Sequence, residues 1–72
     1  MSARRFEFIE GTSSKFWEIT PNNREVTVCY GRIGTNGQTQ TKSFTSETAA
    51  SEHAKKQIAS KLAKGYRELA AV

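Results

Sequence analysis

Apolar and polar positions alternate along most of the first two thirds of the chain. Over residues 5–10, Phe6 and Phe8 fall on one side and Glu7 on the other, the two-residue period of a half-buried strand. Residues 11–14, Gly-Thr-Ser-Ser, form a turn cluster. Residues 15–20 are aromatic and β-branched, with Trp17 and Ile19 sharing a face. Residues 21–24, Pro-Asn-Asn-Arg, predict a second turn, because Pro presets φ and Asn tolerates the left-handed region. A third strand over residues 25–33 carries Val26, Val28 and Tyr30 on one face and Thr27 and Cys29 on the other. Residues 34–37, Gly-Thr-Asn-Gly, signal a hairpin. A mostly polar fourth strand over residues 38–44 suits a sheet with one solvated face.

The period then lengthens. Ser46 is placed to cap a helix, with Glu47 in its first turn. Residues 48–64 are dominated by Ala, Lys, Gln and Leu, all strong helix formers. Ala50, Ala54, Ile58 and Leu62 recur at i+4 as an apolar stripe, and Lys61 borders it. Gly65 fits the position just past the helix, and Tyr66 is expected to fold back onto the core. Residues 67–72 read as a tail or a short final element. The predicted class is therefore α+β: a small antiparallel four-stranded sheet packed against one amphipathic C-terminal helix, since neither layer buries its apolar side alone. Phe8, Trp17, Ile19, Val28, Phe44, Ile58 and Leu62 are expected in or near the core.

Length confines this to one domain: there are 72 residues, 36% of them hydrophobic. Eleven Lys and Arg against seven Glu, with no Asp, give a net charge of +4 that suits an anionic partner. Residues 1–40 contribute +1 of this and residues 41–72 contribute +3. The single cysteine excludes an internal disulfide and a multi-thiolate zinc site, and it fits a reducing, cytoplasmic address. No run is apolar enough for a transmembrane helix, and residues 1–7 lack the apolar segment of a secretory signal, so no membrane partner is expected. Catalysis is not expected either. His53, read as a solvent-exposed helix residue, and Cys29, read as a buried strand residue, lie on different elements, and no carboxylate pair or ligand cluster stands out. The glycines at 31, 34 and 37 match no phosphate-binding loop and precede a strand. No cofactor, metal or small-molecule substrate is implied.

The informative stretch is Tyr30-Gly31-Arg32. A ring able to stack on a base or sugar, a residue without a side chain and a planar guanidinium adjoin at a strand end. Around it, Ser14-Lys15-Phe16-Trp17, Arg32-Ile33-Gly34-Thr35, Gly37-Gln38, Lys42-Ser43-Phe44 and Lys64-Gly65-Tyr66 follow in order. Together these segments resemble the WGR domain, named for a Trp-Gly-Arg tripeptide, over about residues 4–68. Tyr30 stands where that tripeptide has Trp. WGR domains occur in poly(ADP-ribose) polymerases and in bacterial proteins. In the DNA-dependent polymerases the motif Trp packs on a terminal nucleotide of damaged DNA, and the motif Arg contacts DNA and neighbouring domains.

The resemblance implies those roles for Tyr30 and Arg32, with Gly31 between them. It carries over no enzymatic activity, because no polymerase catalytic domain is present. The expected function is a non-enzymatic nucleic-acid-binding module, DNA first, whose Tyr30-Gly31-Arg32 corner is joined by Lys15, Lys42 and Lys61. Lys55, Lys56 and Lys64 are further cations that a phosphate-facing strip would include. The alternative is a protein partner docked on the same surface.

Overall fold

The computed structural model describes residues 3–69. Four strands run in sequence, β1 (Arg4–Glu10), β2 (Ser13–Asn22), β3 (Glu25–Arg32) and β4 (Gln38–Ser43). They are followed by helix α1 (Glu47–Ala63) and a two-residue strand β5 (Arg67–Glu68). All pairings are antiparallel, in the order β4-β3-β2-β1-β5. The sheet thus has five strands, not the four predicted. The fifth is too short to show any alternation. It exists because the chain, leaving the helix, returns beside β1, where Phe6 faces Glu68 and a bidentate Arg4–Glu68 pair at 2.6 and 2.7 Å clamps it.

The helix forms and stops for local reasons. Ser46, extended at φ −153°, accepts a hydrogen bond from the Ala49 N–H at 3.1 Å. At the other end Gly65 adopts φ +104°. Its N–H donates to the Leu62 carbonyl and the Tyr66 N–H to the Lys61 carbonyl, the two crossed bonds of a Schellman motif. That reversal throws Tyr66 back across the sheet, as its sequence position suggested. Its ring lies 5.4 Å from that of Phe8.

Helix α1 packs on β2 and β3. Between the layers lie Phe6, Trp17, Ile19, Val26, Ala50 and Ala54, all buried, with Val28, Tyr30, Phe44, Ile58 and Tyr66 half-buried around them. Phe6, not Phe8, is the fully buried β1 aromatic, and Phe8 lies half-buried at the margin. Leu62 is 48% exposed instead of joining the core. Each i+4 step overshoots a full helical turn by about 40°, so three steps from Ala50 carry Leu62 well off its face. Lys61, eleven residues on, returns within about 20° of it.

Phe16 is buried on the opposite face of β2, beneath the loop after β3. The Arg5 guanidinium lies 4.5 Å from its ring centroid and pairs with Glu7 and Glu18. Pro21 and Asn22, expected in a turn, end strand β2, and only Asn23 (φ +58°) and Arg24 make the connection to β3. The β1 ladder begins at Arg4 opposite Ile19, so Pro21 lies past it and its missing N–H interrupts no bond there.

Candidate nucleic-acid interface

Register determines what the strands present. Opposite one another on the helix-facing side lie Lys15 and Arg32, then Trp17 and Tyr30. On the other flank of β3, Gln38, Gln40 and Lys42 lie opposite Tyr30, Val28 and Val26. The helix completes the concavity with His53, Gln57 and Lys61, which recur at i+4 and line it. An open cleft of about 990 Å³ results between α1 and strands β2, β3 and β4.

All six residues picked from the sequence, Lys15, Tyr30, Gly31, Arg32, Lys42 and Lys61, line this one cleft. Lys55, Lys56 and Lys64 do not; they are exposed elsewhere on the helix and at its end. Among the described residues no carboxylate lines the cleft. Among the described residues the ion pairs are Arg4–Glu68, Arg5–Glu7 and Arg5–Glu18, all on β1, β2 and β5. Among the described residues the four cleft cations therefore have no carboxylate partner.

Arg32 sits at the end of β3, beyond the last β4 pair, Tyr30–Gln38. Its carbonyl is held by the Thr35 N–H at 3.1 Å and the Thr35 hydroxyl at 2.7 Å, and the Ile33 N–H donates to the Ser14 carbonyl at 3.1 Å. The backbone is fixed while the guanidinium is exposed. Tyr30 is half-buried, and its hydroxyl donates to Gln38 Oε1 at 3.2 Å. Its ring packs against the core and also lines the cleft.

The missing side chain of Gly31 serves local packing on the other face of the sheet. Its neighbours on β3 face the helix, so by strand alternation its own Cβ direction faces the other side. A Cβ there would lie 2.8 Å from the Gly37 Cα. A Cβ on Gly37 would lie 2.7 Å from Phe16 Cζ. The two glycines let the loop close over Phe16, and Gly31 contributes only main chain to the cleft.

Lys61 is half-buried, with Nζ 5.6 Å from the Trp17 ring centroid and 5.2 Å from that of Tyr66. Burial holds its ammonium below the usual lysine range, and repulsion from Lys64 and Lys15 pushes the same way. His53 is half-buried rather than exposed, its ring 4.8 Å from that of Phe44. Cys29 is half-buried on the sheet's other face, where its thiol meets the Asn36 carbonyl at 3.5 Å. Sequence reasoning missed Gln40 and Gln57 as cleft residues. The available signal was spacing: Gln40 lies two residues from Lys42 on a strand, and Gln57 four from Lys61 on a helix.

Among the described residues no cluster of three or more His, Cys, Asp or Glu is placed to hold a metal ion, and no helix is long and apolar enough to cross a membrane. The WGR family model matches residues 2–71. The chain belongs to the WGR domain family. This WGR domain is 40% identical over 65 residues to the uncharacterized protein YfeS of Escherichia coli (strain K12), covering 90% of the chain and 27% of that protein. It is 39% identical over 67 residues to Protein YehF of the same strain, covering 93% and 24%. A crystal structure of a Bacteroides fragilis protein superimposes with a TM-score of 0.93 at 45% identity, over 96% of this chain and 20% of that one. The chain thus spans about a quarter of the length of the curated relatives it matches. The WGR domain is a small non-catalytic domain.

Proposed function

We propose that this WGR domain is a nucleic-acid-binding module, with DNA the first candidate, and that the cleft between α1 and the sheet is where it binds. One observation carries the reading: Lys15, Arg32, Lys42 and Lys61 line a single open cleft beside the Tyr30 ring, and among the described residues no carboxylate lines it. Cations without counter-ions attract phosphates and release the condensed counter-ions around them. The Arg32 fork takes phosphate oxygens in two parallel hydrogen bonds, while the lysines act as point charges. Tyr30 offers a flat face for a base or sugar, a contact worth roughly 1–3 kcal/mol. Nothing in this arrangement requires chemistry on the ligand, so the module works by holding it.

The test is an anisotropy titration of labelled single-stranded and duplex DNA across a salt series. With about four phosphates engaged, log K falls against log salt with a slope of about −3.6 on duplex DNA, and somewhat less steeply on a single strand. Arg32→Ala weakens binding, flattens the duplex slope by about 0.9 and leaves the thermal midpoint unchanged. Affinity indifferent to salt, or to loss of Arg32, contradicts the reading.

A second reading, a protein partner docked on the same surface, has one observation in its favour: the relatives carry the module as 20–27% of a longer chain, beside other polypeptide. A partner captured equally well with and without nuclease, by a domain that shows no DNA affinity, would select it.

A further inference from the structure

We infer that the cleft takes an unpaired strand with its bases turned inward, and that Gln40 and Gln57 read those bases. The inference rests on the electrostatic reading above and says which form of nucleic acid the cleft accepts.

The cleft follows β3 from Val26, opposite Lys42, to Arg32, a run of about 20 Å at strand rise. A paired helix shows its base edges only at the bottom of its grooves, where a protruding helix or ribbon reaches them. Here Gln40 and Gln57 line the concavity between α1 and the sheet rather than a protruding ridge, so the base edges of an intact duplex do not reach them. Unstacked bases of a single strand can.

The polar groups of the cleft alternate in kind. Gln40 and Lys42 share one face of β4, and Gln57 lies one turn from Lys61 on α1. Each amide thus has a cation beside it in the same row, from opposite sides of the cleft. Neither amide has a hydrogen-bond partner among the described residues. A carboxamide presents one donor and one acceptor side by side, the complement of the adenine N6/N7 edge. Rings that line the cleft, Tyr30 on β3 and His53 on α1, offer surface for stacking. Phosphates meet the four cations, and the bases fall between them onto the amides.

The experiment measures affinity by anisotropy for a dT oligomer, the same oligomer with one central dA or dC, and a blunt duplex of equal length. The full chain and the Gln40→Ala and Gln57→Ala variants are compared at two salt concentrations. The expected result is single strand over duplex by at least tenfold, and dA over dT by about fivefold, the low end for a bidentate contact at an open site. Gln40→Ala or Gln57→Ala abolishes the dA preference and leaves the salt slope unchanged. Salt-dependent binding that is equal for duplex and single strand, or a base preference that both variants retain, overturns this inference and leaves the electrostatic reading standing. Absence of binding to every probe overturns the electrostatic reading, and this inference with it.

Discussion

Lys61 carries two opposing demands. Its stem covers Trp17 and Tyr66, while its ammonium is held where burial disfavours charge. The folded pKa lies below the unfolded one, so between the two values the unfolded chain binds more protons. Stability therefore rises with pH as Lys61 loses its proton, and the rise is complete near the unfolded value of about 10.4. Lys61→Met keeps the apolar stem and removes the charge. Urea titrations from about pH 8 to 10.4 are expected to show a smaller rise for this variant than for the parent chain. In DNA binding the same variant loses one phosphate contact and about 0.9 of the duplex salt slope. The neighbouring glycines test a different property. Gly37 adopts φ +71° with its hydrogen side against Phe16, so Gly37→Ala is expected to destabilise by about 1–3 kcal/mol from conformation alone, with the clash added. A lower urea midpoint at unchanged m-value would record it.

At the scale of elements, the helix shows how far pattern reaches and where it stops. Ser46 was legible as the cap and Gly65 as the residue past the end, because each performs a backbone task that few other residues perform. Ser46→Ala is expected to cost about 1 kcal/mol, read as a shift in the urea midpoint. The inward face was less legible. A stripe drawn at i+4 assigned Leu62 to the core, whereas the 3.6-residue turn brings Lys61 inward and leaves Leu62 in water. Leu62→Gln is accordingly expected to change stability by no more than about 0.5 kcal/mol, as for an ordinary surface position. Strand β5 escaped the sequence for a different reason. Two residues show no period, and its placement depends on the reversal at Gly65 and on Arg4, sixty-four positions from Glu68. Phe16 escaped because alternation assigned only one face of β2 to the core. Its cover, the Arg5 guanidinium and the loop at Gly37, comes from other parts of the chain.

For the whole molecule, placement of charge matters more than its sum. The Tyr30-Gly31-Arg32 corner was readable locally, but the gathering of Lys15, Lys42 and Lys61 beside it required the register of three strands and the phase of the helix, none of which spacing supplies. Folding sets two groups of cations apart. Arg4 and Arg5 meet Glu68, Glu7 and Glu18 at the β1 side, where their charge is locally cancelled. The cleft cations meet no carboxylate among the described residues, so positive potential concentrates there. Two variants separate sum from placement. Arg4→Gln and Lys42→Gln each lower the net charge from +4 to +3. If net charge governs association with DNA, the two lose affinity alike. If the cleft governs it, Lys42→Gln flattens the duplex salt slope by about 0.9 and weakens binding, while Arg4→Gln leaves both within error. Loss of the exposed Arg4–Glu68 pair then registers only as a small change in stability, on the order of 1 kcal/mol or less. Equal losses of affinity in the two variants would assign binding to diffuse charge and remove the cleft from the account.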